Sequence, residues 1–235
     1  DKKDFRIFDV CGNFDYFQAN PEAAESRAVT SLSERLFTTR TDVVYAFDAE
    51  TGKQLWLYNR QVATNLSIRA STKPIVAGEL LLVGFSDGFI VALKKRDGSL
   101  SWERKIGKAQ RFKDVDSTPV IDGENVYVAS VDGTLFSLKT ESGDVNWSLN
   151  DGAYVPVTIG RGQFSDRLYY ATVTGTVQVV ERSTGRLVKS WPVQYGNASQ
   201  VVQYKNIFVY GESEGGLTVV DGDSGSTLRK YYPGY

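Results

Sequence analysis

The chain has 235 residues, 41% of them hydrophobic and 23% charged, with a formal net charge of -1. This is an ordinary globular composition. It leaves no global field to attract nucleic acid and no apolar run near the roughly 20 residues of a membrane helix. Histidine is absent and Cys11 is the single cysteine, which excludes a Ser-His-Asp triad, a Cys-His pair, a His-ligated zinc and an intramolecular disulfide.

The chain opens on Asp1-Lys2-Lys3 with no signal-peptide pattern, so it reads as a mature product or a cytosolic protein. Phe5–Val10 reads as one strand. Cys11 reads as a structural thiol, because Phe8-Asp9-Val10 is not the small apolar run that precedes a lipidated cysteine. Asn20–Glu25 reads as a capped helical turn with Pro21 at its first position. Residues 1–26 are therefore expected to be an extension, its strand covering the seam of the domain that follows.

From residue 27 onward the chain repeats. Val44–Gly52, Val91–Gly98, Phe136–Gly143, Gln178–Gly185 and Thr218–Gly225 each run from a β-rich stretch into a turn glycine, and those glycines lie 46, 45, 42 and 40 residues apart. Ten residues before the last four stand Gly88, Gly133, Gly175 and Gly215. Four residues after the first three stand Trp56, Trp102 and Trp147. A period of 40–50 residues made of short β-runs and glycine turns marks a propeller.

The third unit illustrates the expected strands: Thr118–Ile121, Asn125–Val131, Thr134–Lys139 and Asp144–Ser148, with Asp132-Gly133 as a hairpin dipeptide and Gly143 closing a three-residue loop. The third strand alternates only loosely, as a strand packed on both faces does. The fold class predicted is all-β: a β-propeller of five four-stranded antiparallel blades over residues 27–235, a closed ring with almost no helix. The tryptophans are expected to fill space between blades.

Two features suggest chemistry and are better read as structure. Asp221-Gly222-Asp223-Ser224-Gly225 resembles the start of a calcium loop, but no glutamate stands where the loop would close, and the segment falls on a hairpin turn of the repeat. The basic residues Arg104, Lys105, Lys108, Arg111 and Lys113 are read as a loop between units two and three, solvated or facing a partner. Without interleaved aromatics they do not suggest nucleic-acid binding. No carboxylate pair is placed for acid–base work. No cofactor and no metal site is expected.

The motif Ala46-Phe47-Asp48 through Thr51-Gly52 to Trp56 resembles the quinoprotein-type propeller repeat, a resemblance that covers about residues 27–235. Leu66-Ser67-Ile68-Arg69-Ala70-Ser71-Thr72-Lys73-Pro74 and Asp114-Val115-Asp116-Ser117-Thr118-Pro119 resemble two segments of the BamB family of outer-membrane protein assembly lipoproteins. Members of that family are usually eight-bladed, whereas this chain has room for five units. The resemblance implies a non-catalytic periplasmic scaffold at the inner face of the outer membrane. It would bind the periplasmic domains of a BamA-type insertase through Leu66, Ile68, Arg69, Asp114 and Asp116, with unfolded outer-membrane proteins as a further class of partner.

The repeat adds an independent argument. Aligning Pro74 with Pro119 puts Arg69 at the position of Asp114 and Ser71 at that of Asp116, so these residues are expected on one rim. Leu66 and Ile68, two apart, share a face of an extended stretch. The competing readings are a sensor or ligand-binding module of a larger envelope protein and a quinone-dependent dehydrogenase. The single cysteine and the small number of units argue against the dehydrogenase.

Overall fold

A computed structural model describes residues 41–61, 72–107, 115 and 117–232. The chain divides into two compact units, Asp1–Asn65 with Asp97–Ser99, and Leu66–Arg96 with Leu100–Tyr235. The N-terminal extension, Cys11 and the expected turn at Pro21 lie outside the described residues.

In the first unit, β1 (Thr41–Phe47) pairs antiparallel with β2 (Gln54–Gln61), with a bulge between Ala46 and Phe47. The turn between them is organised by Asp48. Its Oδ1 accepts from the Thr51 hydroxyl and backbone N–H, both at 2.7 Å, and from Glu50 N–H at 3.2 Å. These bonds, the Thr51 hydroxyl foremost, hold the Asp48 carboxyl below its usual range.

The second unit consists of four antiparallel meanders of four strands. Blade two is β3 (Ile75–Ala77), β4 (Leu80–Gly84), β5 (Phe89–Lys94) and β6 (Leu100–Lys105). Blade three is β7 (Val120–Asp122), β8 (Asn125–Ser130), β9 (Thr134–Lys139) and β10 (Val145–Leu149). Blade four is β11 (Thr158–Ile159), β12 (Arg167–Ala171), β13 (Thr176–Glu181) and β14 (Leu187–Pro192). Blade five is β15 (Val202–Tyr204), β16 (Ile207–Gly211), β17 (Leu217–Asp221) and β18 (Thr227–Tyr231). The all-β propeller repeat is as expected. Among the described residues the first blade contributes two strands and the other four blades contribute four each. A 3-10 turn, Gly162–Phe164, interrupts the β pattern in blade four.

Successive blades share cores because each middle strand uses both faces. In β8, Val126 and Val128 pack with Leu82, Ile90 and Ala92 of blade two, while Tyr127 and Ala129 pack with Leu168, Tyr170 and Val180 of blade four. That is why the middle strands read as nearly continuous apolar runs. The next core joins Tyr169, Val177 and Val179 to Val201, Phe208, Tyr210 and Val220. There the rings of Tyr169 and Phe208 stack with centroids 3.9 Å apart, and Phe164 meets Phe208 edge-on at 5.4 Å. Burial pushes the Tyr169 hydroxyl up to about 12.

The tryptophans do join blades, with a more specific seat than general space-filling. Trp102 is half-buried and lies on the β9–β10 turn of the next blade, where its Nε1 donates to Thr140 O at 3.0 Å. Trp147 repeats this one blade on, donating to Arg182 O at 3.1 Å. The turn glycine is what leaves room for the indole: a Cβ on Gly143 would stand 2.5 Å from Trp102 Cε3, and one on Gly185 would stand 2.8 Å from Trp147 Cε3. The turn itself spans four residues rather than three, since Lys139 N donates to Asp144 O across residues 140–143.

The basic loop needs correction. Arg104 and Lys105 belong to strand β6, and Arg104 Nε donates to Gly143 O at 2.8 Å, tying blade two to the turn of blade three. Lys108, Arg111 and Lys113 lie outside the described residues. The Asp221 segment is a hairpin turn: Asp221 Oδ1 accepts from Ser224 N–H and hydroxyl, both at 2.7 Å, as Asp48 does from Thr51.

Candidate functional site

An up-and-down meander gathers, at one end of each blade, the hairpin between its second and third strands and the connections to neighbouring blades. Backbone bonds join these segments into a rim. Ile106 and Gly107 donate to Gly88 O at 2.8 and 3.0 Å, and Val115 donates to Phe85 O at 3.3 Å. Val173 donates to Gly152 O and Val193 to Gly175 O, both at 2.9 Å, while Ser213 donates to Asn197 O at 2.9 Å.

Beneath each hairpin the residue that ends the second strand or directly follows it is buried: Phe85, Ser130, Thr172 and Glu212. The glutamate is satisfied in place. Its Oε2 accepts from Tyr195 N–H at 2.8 Å, its Oε1 accepts from the Thr218 hydroxyl at 2.7 Å, and Lys230 Nζ lies 3.7 Å from Oε1. A buried carboxylate with fewer partners would be costly.

Blade four has a different arrangement. Tyr170, buried in the core shared with blade three, donates its hydroxyl to Gln178 Oε1 at 2.7 Å. Gln178 Nε2 donates to Asp151 Oδ2 at 2.7 Å, and the Thr174 hydroxyl lies 3.3 Å from both Asp151 oxygens. Partial burial raises the Asp151 carboxyl above its ordinary value, opposed by the Thr174 and Gln178 bonds. At the opposite end of the blades, a shallow hollow of about 440 Å³ is lined by Arg161, Gln203, Tyr204 and Lys205. The Gln203 side chain spans it, accepting from Arg161 N–H at 2.8 Å and donating to Lys205 O at 2.9 Å. Among the described residues no cluster of three or more His, Cys, Asp or Glu could hold a metal ion, and no helix is long and apolar enough to cross a membrane.

A family model described as outer membrane protein assembly factor BamB matches residues 16–191. The chain belongs to the BamB family. Its match to outer membrane protein assembly factor BamB of Legionella pneumophila (strain Paris) is 41% identical over 61 residues, covering 23% of this chain and 16% of that protein. The quinoprotein ethanol dehydrogenase of Pseudomonas putida is 31% identical over 88 residues, covering 35% of this chain and 14% of that enzyme. The crystal structure of BamB from Moraxella catarrhalis superposes with a TM-score of 0.68 at 22% identity, covering 81% of this chain and 58% of that one. A quinohemoprotein alcohol dehydrogenase from Pseudomonas putida HK5 superposes with a TM-score of 0.64 at 13% identity, covering 83% of this chain and 40% of that one. Both superpositions speak for the propeller fold. In each comparison the matched region spans well under two thirds of the relative.

In chain order the BamB-type segments precede β3 and β7. Leu66, Ile68, Arg69, Asp114 and Asp116 themselves lie outside the described residues. Their flanks are firmly held. The Thr72 hydroxyl donates to Gly84 O at 2.8 Å and accepts from Gly84 N–H at 3.1 Å. Val115, between the two aspartates, is fully buried, and Ser117 is buried with its hydroxyl donating to Val155 O at 3.2 Å. Reading the sequence missed Asp151 and the exposed Tyr154 on the next connection. A signal for them existed, but it required the strand register of blade four.

Proposed function

We propose that this chain is a non-catalytic scaffold of outer-membrane barrel assembly, working in the periplasm at the inner face of the outer membrane. It docks on the periplasmic domains of a BamA-type insertase through Leu66, Ile68, Arg69, Asp114 and Asp116, and unfolded outer-membrane proteins are a further class of partner. The observation that carries this reading is the family match over residues 16–191, which includes both segments. The described residues beside the two segments are tied to the blades, Thr72 to Gly84 and Ser117 to Val155.

The test separates docking from folding. Truncating one member of a desolvated interfacial charge pair typically costs about 2–5 kcal/mol of affinity, while an exposed surface change costs at most about 0.5 kcal/mol of stability. Arg69→Ala or Asp116→Ala is expected to weaken binding to the insertase domains with the melting temperature nearly unchanged. Normal affinity with a large fall in melting temperature would make these residues ties between blades instead.

The dehydrogenase matches favour one other reading, a quinone-binding propeller. Stoichiometric quinone uptake by the purified chain, followed by absorbance, would replace the scaffold reading with it.

A further inference from the structure

Strand register shows which residues are equivalent from blade to blade. Val120 pairs with Tyr127 in blade three, and Thr158 pairs with Tyr169 in blade four. Tyr127 and Tyr169 stand 42 residues apart, as do the turn glycines Gly143 and Gly185, so Val120 and Thr158 hold one repeat position. Counting back four residues from each gives Asp116 and Tyr154. Equivalent positions on neighbouring blades touch: Lys73 N donates to Thr118 Oγ1 at 3.3 Å, and Ser117 Oγ to Val155 O at 3.2 Å. Tyr154 therefore continues the series of Ser71 and Asp116 onto a third connection.

That connection is rigid. A Cβ on Gly152 would stand 2.1 Å from Ser130 O and 2.8 Å from Gly133 Cα, so the backbone lies directly on the blade-three hairpin. Ala153 and Val157 are buried on either side, yet Tyr154 is 47% exposed. Three residues away, Asp151 is held through Gln178 to the buried Tyr170. Among the described residues only neutral groups bond its carboxylate. An exposed tyrosine on a rigid loop is a low-entropy contact, and a partly desolvated carboxylate that accepts from neutral Thr174 and Gln178 favours a cation.

We propose that Tyr154 and Asp151 form a second contact of the docking rim, receiving a lysine or arginine side chain of the docked polypeptide against the tyrosine ring and the carboxylate. This rests on the docking reading above and extends it by one blade.

The probe is the purified periplasmic region of a BamA-type insertase, titrated against the full chain at low and high salt. Tyr154→Ala is expected to weaken binding by about tenfold with an unchanged melting temperature, the size of a contact worth about 1.4 kcal/mol. Tyr154→Phe, which keeps the ring, should stay near wild type. Asp151→Asn is expected to weaken binding several-fold at low salt, with the effect shrinking as salt screens the pair. Tyr204→Ala, at the other end of the blades, serves as the control and should bind normally. If Tyr154→Ala and Asp151→Asn both bind within about twofold of wild type while Asp116→Ala is impaired, this second contact is refuted and the docking reading survives. An effect at Tyr154 without one at Asp151 overturns the basic chemistry assigned to the partner. A wild-type chain that does not bind the insertase region overturns both readings.

Discussion

The seat of each tryptophan on the next blade's turn can be isolated by adding a single carbon. Gly143 has φ of +70°, and an alanine Cβ there would lie 2.5 Å from Trp102 Cε3 and 2.8 Å from its Cδ2. Gly123 has φ of +57° and would meet nothing within 4 Å. Both substitutions carry the left-handed backbone cost of an L-residue, about 1–2 kcal/mol. Only Gly143→Ala adds overpacking against a ring, another ~1–3 kcal/mol. Urea unfolding is therefore expected to show a loss of about 1–2 kcal/mol for Gly123→Ala and ~2–5 kcal/mol for Gly143→Ala. In a Trp102→Ala background, Gly143→Ala should fall back to the Gly123 cost, giving a coupling of about 1–3 kcal/mol in the double-mutant cycle. Equal costs at the two glycines, or zero coupling with Trp102, would refute the account of how consecutive blades are joined.

Two further outcomes follow from the packing and the charges. Phe208 is fully buried between Phe164 and Tyr169, so Phe208→Ala should cost about 3–5 kcal/mol in the same unfolding assay; a loss under ~1 kcal/mol would mean that core is not tightly packed. Burial raises the Asp151 carboxyl above 3.8, so its favourable contribution to stability is present below that value and is lost as pH rises through the folded pKa. Asp151→Asn should therefore gain stability relative to wild type between about pH 4 and pH 7, measured as melting temperature against pH; a gain that instead grows on acidification would reverse the assigned direction.

The outcome at the proposed docking rim differs from that at the strands. Thr134–Lys139 is a strand with the bounds its pattern predicts, and Asn125–Ser130 ends one residue early, because Asp132-Gly133 limits where the hairpin can turn. Arg104 was harder to place. A cluster of positive charges suggests a solvated loop, whereas the guanidinium reaches a backbone carbonyl of the next blade, a contact made between positions 39 residues apart. Tyr154 was hidden for a related reason. Val120 precedes its pairing partner Tyr127 by 7 residues, but Thr158 precedes Tyr169 by 11, so counting back from the turn glycine misses the equivalent position in blade four.

The sequence by itself determined the period, the antiparallel blades, the turn positions and the BamB family, because each is carried by local residue types at short, repeated spacings: glycine where φ is positive, Asp-Gly at a hairpin, aliphatic runs in strands that pack on both faces. Only the tertiary structure decided which blade each face meets, why a turn glycine must stay a glycine beneath a tryptophan of the preceding blade, and that Asp151 and Tyr154 stand on one rigid connection. Those facts depend on contacts between residues far apart in the chain, and the spacing of residue types along one blade does not encode the register that brings the next blade against it.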